Sequence, residues 1–122
     1  LERKDTKFLA ACYALPCTFI ANDSSQAYTT EAKLEGLINQ GKRFYAVHNI
    51  TNAIPDIKNK RYISDKIVSV TLNWLYTDNK GQKVYDCDYY YILKLGEEDS
   101  WKIEVAIPVN EKEKIATLPT AG

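Results

Sequence analysis

Apolar residues recur at two different periods along this chain, first helical and then alternating. Phe8, Leu9, Cys12 and Tyr13 fall at helical spacing among Glu2, Arg3, Lys4, Asp5 and Lys7, which predicts an amphipathic helix over 1–14. Pro16 closes it, because proline disfavours helical geometry at Leu15 and offers no N–H. Residues 17–21 are strand formers and Asn22, Asp23, Ser24 and Ser25 read as a turn. A second helix then begins at Thr29 or Thr30, with Glu31 in its first turn, and buries one stripe through Leu34, Leu37, Ile38, Gly41, Phe44 or Tyr45, and His48. The segment 49–56 reads as a connection, and 57–64 as an edge strand that Lys58, Lys60 and Arg61 protect from aggregation.

Beyond this the period changes to two. Val68, Val70, Leu72, Trp74 and Tyr76 share one face of a strand over 67–77, and Asp78, Asn79, Lys80 and Gly81 supply a hairpin loop. The return strand, 82–95, sets Tyr85, Cys87, Tyr89, Tyr91, Leu93 and Leu95 against Val84, Asp86, Asp88, Tyr90, Ile92 and Lys94. Trp101, Ile103, Val105 and Ile107 then alternate with polar residues until Pro108 ends the ladder. The prediction is an antiparallel meander behind N-terminal helices, with 1–109 as one domain and 110–122 as a C-terminal tail.

Composition narrows the function classes without choosing one. The 122 residues are 45% hydrophobic and 26% charged, with 16 basic and 16 acidic side chains, so no net field gathers nucleic acid or an anionic membrane. The basic clusters Lys42-Arg43 and Lys58 to Arg61 are therefore read as solvated faces rather than as a nucleic-acid surface. No apolar run approaches the length of a membrane span. Three cysteines form no disulfide framework and no paired zinc motif, which fits a reduced cytoplasmic protein; Leu at position 1 leaves room for a removed signal peptide. No glycine-rich phosphate cradle or metal constellation is present, so no cofactor is expected.

The run Phe8 to Cys17, the Thr30-Glu31 helix start, Val68 to Trp74 with the Asp78 to Gly81 loop, and Tyr91 to Leu95 leading to Trp101-Lys102-Ile103 together resemble the nuclear transport factor 2-like superfamily, and within it the SnoaL-like domains. The resemblance implies an α+β fold, a curved antiparallel sheet wrapped round helices as a cone, with a cavity at the wide end. It also implies a homodimer through the outer sheet face, where Ile67, Leu75, Val84, Tyr90 and Ile92 stand beside Asp86, Asp88 and Lys94.

Three functional readings follow. The first is a binding module whose cone, lined by Tyr13, Phe19, Tyr45, His48, Trp74, Tyr89, Tyr91 and Trp101, takes a small apolar or aromatic ligand. The second is an isomerase, dehydratase or polyketide cyclase like ketosteroid isomerase. The resemblance there suggests Asp23 as base and Tyr13 as donor, and His48, the only imidazole, is a further candidate base. The third is a structural dimerisation domain. Asp86 and Asp88 alternate away from the aromatic face and are read as outward carboxylates, and Cys12, Cys17 and Cys87 as small packed groups rather than nucleophiles.

Overall fold

The computed structural model describes residues 5–119. The elements run α1 (Asp5–Ala11), β1 (Tyr13–Ala21), β2 (Ser24–Tyr28), α2 (Glu31–Val47), β3 (Asn52–Ser64), β4 (Ile67–Thr77), β5 (Lys83–Leu95), a 3-10 turn at Glu97–Asp99, β6 (Trp101–Pro108) and α3 (Glu111–Ile115). The strands form one six-stranded sheet in the order β2-β1-β6-β5-β4-β3, and every neighbouring pair is antiparallel except β1 with β6. This is the expected α+β arrangement, a curved open sheet with its helices on the concave side. Among the described residues no helix is long and apolar enough to cross a membrane.

α2 forms where its periodicity places it. The Thr30 side chain accepts from the Lys33 N–H at 3.2 Å, satisfying a backbone donor that the first turn would otherwise leave open. Leu34 is fully buried on the stripe against Ala10 and Cys17, with Leu37 and Ile38 beside it. Burial of a side chain of that size contributes roughly 2–3 kcal/mol. His48 ends this helix as its C-cap rather than continuing the stripe.

Four local expectations are corrected. The first helix stops at Ala11, because Tyr13 pairs with Ile103 of β6 and the Ile103 N–H donates to the Cys12 carbonyl at 2.9 Å. Pro16 consequently lies inside β1, in the irregular stretch between the Tyr13 and Thr18 pairings where no ladder N–H is needed; its peptide bond with Leu15 is cis. The predicted turn at 22–25 tightens to Asn22 and Asp23, and Ser24–Tyr28 returns as an edge strand. β3 starts at Asn52, not 57, because the whole of β4 offers hydrogen-bonding partners from Thr77 back to Ile67; Pro55 is tolerated since β3 is the outer edge.

The fourth correction concerns the end of the chain. β6 pairs with β5 only from Tyr89 to Leu95, with a bulge between Ile92 and Leu93 that breaks the expected alternation. Ala106 faces the core with Trp101 and Ile103, while Val105 pairs opposite the outward Ile92. Below Pro108 the edge of β5 would stand open, and residues 110–118, expected as a tail, cover it. The Val109 N–H donates to the Asp88 carbonyl, the Asp88 N–H to Asn110 Oδ1, and α3 with the turn that follows it lays Ile115 and Leu118 against the Ile50, Tyr76, Tyr85 and Cys87 cluster.

Candidate functional site

Strand alternation puts Tyr85, Cys87, Tyr89 and Tyr91 on the concave face of β5, opposite Tyr76 and Trp74 of β4. Their rings pack face to face: Tyr76 with Tyr85 at 4.6 Å between centroids, Tyr89 with Tyr91 at 5.3 Å. α2 does not close onto this wall. Between them lies a cavity in two lobes that share Tyr13, Phe19, Ile38, Gly41, Tyr45 and Tyr89. The larger, of about 360 Å³, runs on to Phe44, Tyr85, Pro108 and Ile115; the smaller, of about 190 Å³, reaches Trp74, Tyr76, Tyr91 and Lys42. Gly41 matters here because an added Cβ would meet no atom within 4 Å, so the missing side chain is part of the opening.

One carboxylate lies among the residues lining the larger lobe. Glu111, the first residue of α3, accepts from Tyr89 Oη at its Oε1 (2.5 Å) and from Tyr85 Oη at its Oε2 (2.9 Å), with Cys87 Sγ 3.7 Å from Oε2. Burial pushes both phenols well above the ordinary tyrosine value, and the negative charge of Glu111 adds to the shift. The Cys87 thiol moves up for the same two reasons, which makes it a poor nucleophile. In the smaller lobe the Trp74 indole N–H donates to Tyr91 Oη at 2.9 Å, fixing both rings.

Of the residues expected to line the cone, Tyr13, Phe19, Tyr45, Trp74, Tyr89 and Tyr91 meet in this cavity, Tyr13 from β1 rather than from a helix. His48 and Trp101 do not. His48 packs at a tilt on Phe44, 4.5 Å between ring centroids, and faces a surface hollow with Leu118 and Pro119, while Trp101 packs at the far end of the sheet against Tyr62. Asp23 is exposed at the β1–β2 turn in an ion pair with Lys112, outside the cavity lining. Both candidate bases are therefore displaced from the place where a base is needed: Asp23 because β2 prolongs the hairpin, His48 because it caps α2 rather than lying on its stripe.

Asp86 and Asp88 lie on the convex face, where Asn73 Nδ2 bridges them at 2.9 and 3.0 Å and Lys83 pairs with Asp86 at 2.7 Å. Glu111 is absent from the expected site because the composition of its segment reads as a tail. The usable signal is the 3.6-residue period that puts Glu111, Ile115 and Leu118 on one helical face immediately after a strand-ending proline.

Residues 1–111 match the family described as NTF2-like protein (DUF6841). Similar solved structures include an NTF-2 like protein of unknown function from Shewanella oneidensis (TM-score 0.68, 13% identity, 88% of this chain and 84% of that one). A ketosteroid isomerase-like protein from Erwinia carotovora atroseptica has a TM-score of 0.63 at 14% identity, over 86% and 80% of the two chains. A domain of unknown function with a cystatin-like fold from Nostoc punctiforme has a TM-score of 0.65 at 15% identity; 85% of this chain is covered but only 64% of that one, less than two thirds of its length. Likeness at such identities is likeness of fold. No curated protein matches the chain.

Proposed function

Given that the chain belongs to the NTF2-like family DUF6841, we propose that it is a binding protein for a small apolar or aromatic molecule held in the two-lobed cavity between α2 and the concave sheet face. The observation that carries this reading is the composition of the larger lobe: a volume of about 360 Å³ walled by aromatic rings, with a single carboxylate held in place by two phenols. Cavities that are mostly apolar with a few oriented polar groups are the common form of a small-molecule site. A purely structural domain of this size has no need of such a space, since interiors otherwise pack closely. The acid–base alternative has lost both of its expected bases, since Asp23 and His48 lie elsewhere. We further place the protein in a reducing compartment such as the cytoplasm, in keeping with its unpaired Cys12, Cys17 and Cys87.

The test is a thermal-shift screen of a small-molecule library on the wild type and on Gly41→Leu, which fills the shared part of both lobes. A specific ligand present at about a hundred times its Kd raises stability by about 2.7 kcal/mol. The expected result is a chemically related set of stabilisers that lose their effect on Gly41→Leu. Stabilisers indifferent to that substitution, or none at all, overturn the reading.

A further inference from the structure

Resting on the ligand-binding reading above, we propose that the ligand carries a protonated amine, seated against Glu111, with its apolar or aromatic body directed toward the smaller lobe. At the floor of the larger lobe, around Glu111, donors and acceptors are unevenly matched. A phenol owns one hydrogen, and those of Tyr85 and Tyr89 are both committed to Glu111, as is the thiol direction of Cys87. Having donated, the two phenol oxygens turn only lone pairs to any other partner. A carboxylate accepts about four hydrogen bonds, and the protein supplies these three. The group formed by Glu111, Tyr85 and Tyr89 thus turns acceptors to a ligand.

Among the described residues no Lys or Arg forms an ion pair with Glu111. The lysines nearest to it in sequence are engaged outward, Lys112 with Asp23 and Lys114 with Asp86 at 3.3 Å. Lys42, at the smaller lobe, donates its ammonium to Thr6 Oγ1 at 2.7 Å. Around the carboxylate stand the rings of Phe44, Tyr45, Tyr85 and Tyr89, whose electron-rich faces attract a cation. An ammonium satisfies both the spare acceptors and the rings. Beside Glu111 a ketone, an enolate or a carboxylate brings only further acceptors, where the hydrogens of Tyr85 and Tyr89 are already committed, and a neutral alcohol brings a donor without the charge.

Calorimetric titration of the wild-type protein near pH 7 with tryptamine, tryptophol and indole-3-propionate tests this, because the three share ring and chain and differ in the terminal group. The expected order is amine first, at least roughly tenfold tighter than the alcohol, a difference of about 1.4 kcal/mol, with the carboxylate weakest. Glu111→Gln should bring amine and alcohol together, with far-UV circular dichroism checking that it folds. Tyr85→Phe, which removes a competing donor and keeps the carboxylate, should retain the amine preference. Equal or tighter binding of the alcohol or carboxylate, or a preference that survives Glu111→Gln, overturns the inference. So does silence from all three compounds together with every amine in the screen; a neutral stabiliser blocked by Gly41→Leu would then leave the ligand-binding reading standing alone.

Discussion

Replacing Gly41 by alanine should stabilise the protein, although Gly41 lies in the middle of a packed helix on the side that faces the sheet. Glycine in a helix interior costs about 0.5–1 kcal/mol relative to alanine through lost backbone entropy. In a filled core that gain would be cancelled by overpacking of about 1–3 kcal/mol. At Gly41 an added Cβ meets nothing within 4 Å, so the propensity gain should appear undiminished. Gly36, on the exposed side of the same helix and equally unobstructed, is the internal control. Unfolding entropy of about 2.1 cal/mol/K per residue means that 1 kcal/mol moves the melting temperature of a chain this long by about 4 °C. Each alanine variant should therefore melt about 2–4 °C higher by differential scanning calorimetry, and the double variant by about the sum, since the sites lie some 7.5 Å apart along the axis. Ligand binding should distinguish what stability does not: leucine at position 36 leaves it intact and leucine at position 41 abolishes it. Destabilisation by Gly41→Ala while Gly36→Ala stabilises would mean that something already occupies the space beside Gly41, and the cavity would be refuted with it.

Glu111→Ala leaves the hydroxyls of buried Tyr85 and half-buried Tyr89 without their acceptor and should cost about 1–3 kcal/mol in urea denaturation; adding Tyr85→Phe should recover part of that loss, and no recovery would argue that the hydrogen bond is not what Glu111 contributes. Burial first, then neighbouring negative charge, raises the phenols of Tyr76, Tyr85, Tyr89 and Tyr91 above their ordinary value of 10.0. The folded chain then keeps protons that the unfolded chain releases, so stability is intact below pH 10 and falls above it, by about 1.4 kcal/mol per pH unit for each such phenol; a urea midpoint that stays flat from about pH 9 to 11 contradicts this. Lys83, with Asn73 and Lys114, holds the Asp86 carboxyl below its ordinary 3.8, so its stabilisation is present above that pH and lost on acidification, an acid-side slope that Asp86→Asn should reduce. We also propose a homodimer through the convex sheet face around Tyr90 and Ile92, although Val84 at one end of that strand already packs against the cluster of Ile50, Tyr76, Tyr85 and Cys87; light scattering at micromolar concentration should give a dimer for the wild type and a monomer for Ile92→Lys, and a monomeric wild type would exclude it.

Much of the architecture is local and was legible in the order of residues. The stripe of α2, its Thr30 cap and the alternation of β4 and β5 depend only on spacing, so the aromatic wall of Tyr85, Tyr89 and Tyr91 could be assigned to the concave face without a structure. What failed was decided by partners distant in the chain. Tyr13 has helical spacing, yet it becomes strand because β6 pairs with it; 52–56 looks like a loop, yet it becomes strand because β4 is long enough to hold it. A bulge opposite Ile92 turns Ala106 inward and moves Val105 out, a one-residue event that no period reveals. Glu111 is the sharpest case. Its segment has the composition of a tail, and only the shortness of β6, which leaves the end of β5 open, creates the place where that tail folds as α3. Sequence by itself determined which faces are apolar, since that is set by neighbours three or two residues away. Tertiary structure alone decided where the carboxylate meets the phenols, because that contact joins residues more than twenty positions apart and exists only once α3 has packed on β5.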